Sequence, residues 1–214
     1  MQNIENTIYF AVGLLIAVDF HEYAHAWLAT RFGDQTPRSM GRLTLNPKAL
    51  VDPFGTLVLP AILLLPMLLA GRLIWIPFAY AKQMPLNPWN LRRKDADAVW
   101  IAVAGIVANV ALAFVFGALL RVAHTGQVAL FLIRCLQVNV AMAAFHIVPI
   151  PGLDGGRVVA RFLSGRAKDV FLNLEQYLAL FMLVVIFIFG GPILSFVGLI
   201  GNGICNLAAG FSCI

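Results

Sequence analysis

His21-Glu22-Tyr23-Ala24-His25 is an HExxH pattern that interrupts a long apolar run near the start of the chain. On a helix with about 3.6 residues per turn, His21 and His25 stand one above the other on one face. Two imidazoles one turn apart can converge on one Zn²⁺, and Glu22 between them is placed to act as a general base. Residues 6–18 contain no Asp, Glu, Lys or Arg, so these side chains fall where a bilayer-spanning helix is expected. Ionisable groups at that depth are costly and indicate a functional site.

A metal site needs a third ligand, since isolated histidines in an apolar helix are more often hydrogen-bonded core residues. The candidates near the hydrocarbon are Asp154, His146 and Asp19. Asp19 is offset by about 200° from His21 around a helix, which favours a packing or supporting role over ligation. Asp154 lies in the run Pro149-Ile150-Pro151-Gly152-Leu153-Asp154-Gly155-Gly156, whose irregular backbone can turn the carboxylate back toward the first helix. We therefore expect Asp154 to be the third ligand.

The composition is that of a polytopic, all-α membrane protein. Of 214 residues, 61% are hydrophobic and 12% charged, whereas a soluble domain is about half apolar and a quarter charged. We expect one membrane-embedded domain over residues 1–214, with a core at 7–170 and C-terminal helices at 174–214. In a membrane protein, the net charge of +5 is explained by basic residues in cytoplasmic loops and near anionic lipid headgroups. We therefore expect no nucleic-acid partner. The spacing of the three cysteines indicates neither a disulfide framework nor a cysteine zinc site.

The apolar pattern predicts about six membrane helices or re-entrant segments. Long uncharged runs predict spanning helices, and Gly190-Gly191-Pro192 is expected to split the C-terminal tail into two helices. The alternation in Gly41-Arg42-Leu43-Thr44-Leu45 favours a short membrane-associated strand near 41–47, with an ordinary loop as the alternative. The expected helices and apolar segments are 7–31, 54–71, 74–80, 98–120, 128–148, 174–189 and a glycine-rich final segment to 214.

Charge placement predicts the topology. Residues 21–25 and Asp154 must lie at one depth, so the helices that precede them run in the same direction. Basic residues follow residues 21–25 and also follow Asp154, which marks the end of the bundle near these residues as cytoplasmic. The helix 98–120 then runs outward, so residues 49–82 must leave from and return to the cytoplasmic side as a hairpin. The protein is expected in the cell membrane with its site toward the cytoplasm.

HEYAH followed downstream by PxPxLDGG in an apolar chain resembles the site-2 protease family of intramembrane zinc metalloproteases. The resemblance extends over most of residues 7–170, through Gly41-Arg42-Leu43-Thr44-Leu45-Asn46-Pro47, Asp52-Pro53-Phe54-Gly55-Thr56 and Asn87-Pro88. Within that family, the chain is similar to the compact prokaryotic branch. The resemblance implies one catalytic Zn²⁺ held by His21, His25 and Asp154, with Glu22 as the catalytic base.

Two positions depart from the family pattern. His146 stands where the family usually has an Asn that is thought to hold the substrate near zinc. It is expected either to donate a hydrogen bond to the developing oxyanion or simply to pack. Asn109 is kept from the family's AGPxxN pattern although the proline is lost. Its alternatives are a hydrogen bond between helices and support of the active-site region.

The predicted activity is zinc-assisted hydrolysis of peptide bonds in or near the transmembrane segments of single-pass membrane proteins. A substrate helix must unwind before attack, and pairing with Leu43, Thr44 and Leu45 would hold the extended segment. The alternatives are a metal transporter that uses the same ligands and an inactive homologue that binds membrane helices. Glu22 beside the ligand pair argues against transport, and the four intact core residues argue against an inactive protein.

Overall fold

The computed structural model describes residues 2–50, 52, 58, 61, 84–174 and 178–214. Four of the helices in these ranges are long: α1 (Gln2–Arg31), α4 (Lys94–Leu120), α5 (Gly126–His146) and α8 (Leu178–Ala209). The shorter ones are α2 (Thr36–Ser39), α3 (Pro47–Leu50), α6 (Asp154–Ala160) and α7 (Gly165–Asn173), and a 3-10 turn at Pro88–Asn90 precedes α4. The protein is all-helical within these residues, as its composition predicts.

Within the described residues, four helical segments are long and apolar enough to cross a membrane. They are Ile4–Arg31, Lys94–Leu120, Gly126–His146 and Ile188–Ala209. The predicted segments 54–71 and 74–80, and the hairpin they would form, lie outside the described residues apart from isolated positions. The membrane character is therefore confirmed, while the total of about six segments remains a prediction.

The directions of α1, α4 and α5 follow from contacts between named residues. A Cβ on Gly13 of α1 would lie 3.3 Å from Cys135 Cα, and the rings of His21 and His146 are 4.2 Å apart. Helices α1 and α5 therefore run in the same direction, as predicted. His25 hydrogen-bonds the Ile101 carbonyl, and Phe32, just after α1, accepts a hydrogen bond from the backbone N–H of Arg92, just before α4, so α4 runs in the opposite direction to α1. We call the end of the bundle where α1 and α5 finish and α4 begins the Lys94 end.

The three helices α1, α4 and α5 pack on one another and enclose the core, and α8 covers α4 and α5. Small side chains such as Ala17, Ala113 and Ala144 are fully buried where the helices meet. Small residues allow close approach of backbones, which is how helices associate in lipid, where apolar burial against tails gains little. The core is thus narrow and leaves little room beside the motif of α1.

Asp34 joins the two loops at the Lys94 end. Its Oδ1 accepts hydrogen bonds from the Thr36 hydroxyl at 2.6 Å and from Asn90 Nδ2 at 3.0 Å. Its Oδ2 accepts one from the Asn87 backbone N–H at 2.8 Å. Burial by itself raises the pKa of the Asp34 carboxyl, but the hydrogen bonds from Thr36, Asn90 and Asn87 lower it more, so the pKa lies below its ordinary value. The loop after α1 is therefore fixed to the segment that begins α4.

The predicted strand near 41–47 is not formed. Residues 41–46 are turns and irregular backbone, followed by α3. The Arg42 backbone N–H donates to the Pro37 carbonyl at 2.7 Å, and the Thr44 hydroxyl accepts from the Asn46 N–H at 3.1 Å. Such local bonds compete with a sheet ladder. Alternating side chains alone do not make a strand without a partner to pair with.

The expected break at Gly190-Gly191-Pro192 is also wrong, because α8 continues through Pro192. A proline removes one helical donor, whereas a loop at membrane depth would leave several backbone groups unpaired. The two preceding glycines carry no side chain to crowd the proline ring, and a Cβ on Gly191 would meet nothing within 4 Å. Helix α8 is therefore one continuous element.

The cysteine spacing gave no sign of the disulfide that joins Cys205 to Cys213, with Cα atoms 5.9 Å apart. After α8 the chain reverses at Gly210, whose positive φ of 85° suits glycine at a helix C-terminus. Asn202 then accepts hydrogen bonds from the backbone N–H groups of Cys213 and Ile214, each at 3.1 Å. The pairing depends on this reversal, which the expected separate final helix did not include.

Candidate metal centre

The two histidines of the motif meet inside the helix bundle. His21 and His25 lie one turn apart on α1, with only 1% and 2% of their surfaces exposed. Their Nε2 atoms are 3.0 Å apart, and the rings meet edge to face. The helical spacing therefore produces the convergence that the sequence predicted.

Asp154 comes to the same point from the other side. It is the first residue of α6, directly after the turn that follows α5. Its Oδ2 lies 3.0 Å from His21 Nε2, and its Oδ1 lies 3.3 Å from His25 Nε2. The carboxylate ligand atom and one nitrogen of each ring all lie within 4.8 Å of one another.

The glycines after Asp154 explain why this turn can form. A Cβ on Gly155 would overlap the carbonyl of Ile147, and one on Gly156 would overlap the carbonyl of Ile150. The first turn of α6 therefore packs directly on the backbone that leaves α5. This close approach is what returns the Asp154 carboxylate to the end of α1.

The neighbouring histidine rings favour the ionised form of Asp154. Burial by itself raises the pKa of the Asp154 carboxyl, but the neighbouring His25, His146 and His21 rings lower it further, so the pKa lies well below its ordinary value. A buried carboxylate that stays negative is suited to a cation.

The donor set fits a zinc ion. His25 Nδ1 donates to the Ile101 carbonyl at 2.6 Å, so the neutral ring presents the lone pair of Nε2 to Asp154. This lone pair and the carboxylate oxygen would repel each other unless a second ring proton or a metal ion lay between them, so a metal ion can take the place of that proton. Tetrahedral zinc with bonds of about 2.0–2.1 Å separates its ligand atoms by about 3.3 Å. The two Nε2–oxygen distances, 3.0 and 3.3 Å, agree with that value.

Gly105 of α4 makes room for these ligands. A Cβ at this position would lie 2.5 Å from His25 Nε2 and 2.6 Å from His21 Nε2. Any side chain would therefore occupy the space between the two rings. The contact of Gly105 with the motif was not predicted from the sequence.

Glu22 lies beside the cluster, half-buried on α1. Its carboxyl is close enough to His25, Asp154 and Arg157 for their charges to act on it. Arg157 was missed by the sequence interpretation, although its position one turn after Asp154 on α6 could have indicated it.

His146 reaches the cluster through Asp154. Its Nδ1 donates to Asp154 Oδ2 at 2.9 Å, and its ring packs on that of His21. The side chain is 17% exposed, more than either motif histidine. The structure therefore brings His146 to the site that the sequence predicted, with Asp154 as its partner.

Asn109 lies one turn from Gly105 on the buried side of α4. It is fully buried, and neither Nδ2 nor Oδ1 has a hydrogen-bond partner in the part of the chain that the structure describes. A second buried amide that the sequence interpretation missed, Asn139 of α5, donates to the Cys135 carbonyl at 2.8 Å. Its position seven residues before His146 places it on the same helical face, two turns away.

The other candidate residues lie away from the ligands. Leu43 packs beside Ala26 and Ala29, on the part of α1 that follows the motif. Thr44 makes a local turn and Leu45 is 46% exposed. Asp19 is half-buried, and the candidate metal group among the described residues does not include it; its supporting or packing role stays a prediction.

The fold and site together define a membrane protein whose HExxH helix carries a candidate metal site. "Putative zinc metalloprotease YwhC" from Bacillus subtilis (strain 168) is 32% identical over 180 residues, which cover 79% of this chain and 75% of that protein. "Putative zinc metalloprotease Rip2" from Mycobacterium tuberculosis (strain ATCC 25618 / H37Rv) is 29% identical over 181 residues. Its counterpart from Mycolicibacterium smegmatis is 28% identical over 179 residues.

The aligned residues cover 81% of this chain but 64% of each Rip2 protein, so the chain spans less than two thirds of those relatives. No protein-family model and no solved structure matches the chain. The chain belongs to the site-2 protease family of zinc metalloproteases.

Proposed function

We propose that this protein is an intramembrane zinc endopeptidase that hydrolyses peptide bonds in or near the transmembrane segments of single-pass membrane proteins. The observation that carries the proposal is the convergence of His21, His25 and Asp154 inside a bundle of membrane-spanning helices. Glu22 lies next to these residues on α1. A ligand set of two histidines and one carboxylate leaves the fourth position of zinc open, as hydrolysis requires.

His21, His25 and Asp154 would hold one Zn²⁺. When bound there, zinc would supply Lewis-acid chemistry, which polarises a carbonyl and lowers the pKa of water toward about 7. The Ile101 carbonyl fixes the tautomer of His25, so its Nε2 is available as a ligand. His146 orients the third ligand, because its Nδ1 donates a hydrogen bond to Asp154 Oδ2.

Glu22 would carry the proton during the reaction. Its carboxylate accepts a proton from the attacking water and passes it to the nitrogen of the leaving amine as the peptide C–N bond breaks. The proton thus ends on the new amino terminus and the hydroxyl oxygen on the new carboxyl group.

His146 and Asn109 are proposed to position the substrate or its oxyanion. Because His146 Nδ1 donates to Asp154, its Nε2 is an acceptor in the neutral ring and a donor only while the ring is cationic. Asn109 offers both a donor and an acceptor that have no partner among the described residues. Either side chain would bind a peptide group only after the substrate helix has unwound.

Leu43, Thr44 and Leu45 are proposed to pair with the unwound substrate. The irregular backbone of this segment would become a strand when an extended peptide supplies the missing partner. Leu43 of this segment packs on the last turns of α1, the helix that carries the motif. Substitution of Leu45 by Pro should therefore reduce cleavage without loss of zinc, and unchanged cleavage would refute the pairing.

The expected location is the cell membrane, with the metal centre toward the cytoplasm. The Lys94 end carries the basic residues that follow α1 and α6, and such residues favour the cytoplasmic side. Cysteines placed near Arg38 and Lys94 should be labelled only by a reagent that enters the cytoplasm. Labelling from outside intact cells would reverse the proposed orientation.

The activity is tested with a co-expressed single-span substrate, a Glu22→Gln variant and a zinc measurement on both proteins. The wild type should cut the substrate, and the variant should leave it intact while it retains about one zinc per chain. Cutting by Glu22→Gln would refute the role of Glu22. Zinc without cutting in the wild type, over a panel of substrates, would favour the inactive helix-binding alternative.

A further inference from the structure

A cavity opens at the Lys94 end, next to the metal centre but separate from its ligands. Its volume is about 350 Å³, within the range of about 300–1,000 Å³ that is usual for small-molecule sites. The start of α4, α6 and α7 form its sides. Its apolar wall consists of Met84, Leu86, Ala98, Val99, Ala160 and Leu172.

Cations surround this apolar wall. Lys94, Arg157, Arg161 and Lys168 line the cavity together with a single carboxylate, that of Asp95. Asp95 lies 3.9 Å from Arg161 and 3.7 Å from Lys168, and all three side chains are partly exposed. Ion pairs this long in water are weak, so the carboxylate offsets only part of the positive charge. The cavity therefore suits a ligand with an anionic group and an apolar part.

The position of the cavity indicates the source of such a ligand. Lys94 is the first residue of a helix that is apolar enough to span the membrane, so it lies where headgroups are expected. Its ammonium group lies 3.8 Å above the ring of Trp89, which is 78% exposed. Phe162, between α6 and α7, is 81% exposed. Exposed aromatic rings with basic residues at the end of a spanning helix are typical of the lipid interface.

We infer that this cavity binds the headgroup of an anionic phospholipid, with the phosphate on Arg161 and Lys168 and the start of an acyl chain on the apolar wall. A free phosphate would use the cations but leave the apolar wall uncovered. An acidic peptide segment would meet the same cations without an acyl chain for that wall. A bound lipid would link α4, α6 and α7, and so would support the element that carries Asp154.

The test uses purified Glu22→Gln protein in a neutral detergent, so that it does not depend on catalysis. Binding of phosphatidylglycerol and of phosphatidylcholine is measured by native mass spectrometry and by the shift in melting temperature. Phosphatidylglycerol should bind selectively and raise the melting temperature. The Arg161→Gln/Lys168→Gln variant should bind it about 25-fold more weakly, about fivefold for each cation removed.

A charge-matched control separates the cavity from the general surface charge. Arg121→Gln/Arg166→Gln removes two exposed cations outside the cavity and should leave the lipid affinity unchanged. Asp95→Asn removes the competing carboxylate and should strengthen binding, a gain that a misfolded variant would not show. Helical content by circular dichroism checks the fold of each variant.

Five outcomes would overturn the inference, three from lipid binding and two from displacement of the lipid. Phosphatidylglycerol and phosphatidylcholine could bind equally, the charge-matched control could weaken binding as much as the cavity variant, or Asp95→Asn could leave affinity unchanged. Displacement of the lipid by an equal concentration of inorganic phosphate would show a simple anion site, and displacement by an acidic peptide would show a peptide site. Each result is independent of whether the protein cleaves a substrate.

Discussion

His25 Nδ1 lies 2.6 Å from the carbonyl oxygen of Ile101, across the boundary between α1 and α4. This hydrogen bond places the ring proton on Nδ1 and leaves Nε2 to face His21 and Asp154. Ile101, whose carbonyl accepts this hydrogen bond, is an ordinary apolar residue of a spanning helix. The register of α4 against α1 therefore decides which nitrogen of the motif is free to bind a metal.

Gly105→Ala should weaken zinc binding and reduce activity together. The added methyl group would lie 2.5 Å from His25 Nε2, within the space between the ligands. Overpacking of about 1–3 kcal/mol corresponds to a zinc affinity about 5- to 150-fold weaker. Zinc content by elemental analysis and a competition titration measure the effect. The matched control is Gly203→Ala, where a Cβ would meet nothing within 4 Å. Full zinc binding by Gly105→Ala would contradict the proposed site.

Asp154→Ala should lose zinc, because it removes one ligand and the only carboxylate in the candidate metal group of the described residues. Two histidines would remain, and both are buried. We expect less than a tenth of the wild-type zinc content and no cleavage. Asp19→Ala is the matched control on α1 and should retain the metal. A variant at Asp154 with normal zinc and turnover would refute the site.

His146→Leu should weaken zinc binding by about 10- to 100-fold, the usual effect of removing a partner of a metal ligand. The reason is the lost hydrogen bond to Asp154 Oδ2. His146→Asn retains an amide donor and should recover part of the affinity. Affinity and kcat are measured separately for both variants. Equal zinc affinity in wild type and His146→Leu would show that the ring only packs.

Asp34→Ala should loosen the Lys94 end without direct contact with the metal centre. Loss of the buried carboxylate leaves the Asn87 N–H and the Asn90 amide without their acceptor, at about 1–3 kcal/mol. Hydrogen exchange over residues 84–93 should become faster. Asp169→Ala, an exposed residue on α7, serves as the control. Unchanged exchange would contradict the joining role of Asp34.

The Asp34 carboxyl also predicts how the stability of the fold depends on pH. Because the pKa of Asp34 in the folded protein lies below its ordinary value of 3.8, its stabilising contribution is present above that pH. The contribution is lost as the pH falls below 3.8 and through the folded-state pKa. Comparison of wild type and Asp34→Asn should show a difference in melting temperature at pH 7 that shrinks in acid. A difference that grew in acid would contradict this sign.

Cys205 and Cys213 should resist maleimide until the protein is reduced. Only the disulfide-free Cys135 remains, and it is fully buried in the core. The intact folded protein should therefore accept no label before reduction, and two labels after reduction and partial opening of the tail. A Cys205→Ser/Cys213→Ser variant should melt at a lower temperature, because the closed loop constrains the unfolded chain. Labelling of the untreated protein at these positions would refute the pairing.

The sequence determined the chemistry of this site because the relevant signals are local. One helical turn separates His21 from His25, and the Gly/Pro run around Asp154 can reverse the chain in any context. The long apolar runs also predicted where α1, α4 and α5 lie. Pro192 misled the sequence interpretation, since a local break signal yielded to the demand that backbone groups in lipid be paired.

Tertiary structure alone decided the rest. The contacts of Gly105 and of the Ile101 carbonyl with the motif depend on the register between α1 and α4. The pairing of Cys205 with Cys213 depends on the chain reversal after α8. A strand likewise needs a partner, so Leu43 and Leu45 could not reveal their conformation by alternation alone. Spacing within one helix is fixed by its regular backbone geometry, whereas contact between helices is fixed by packing that no single segment contains.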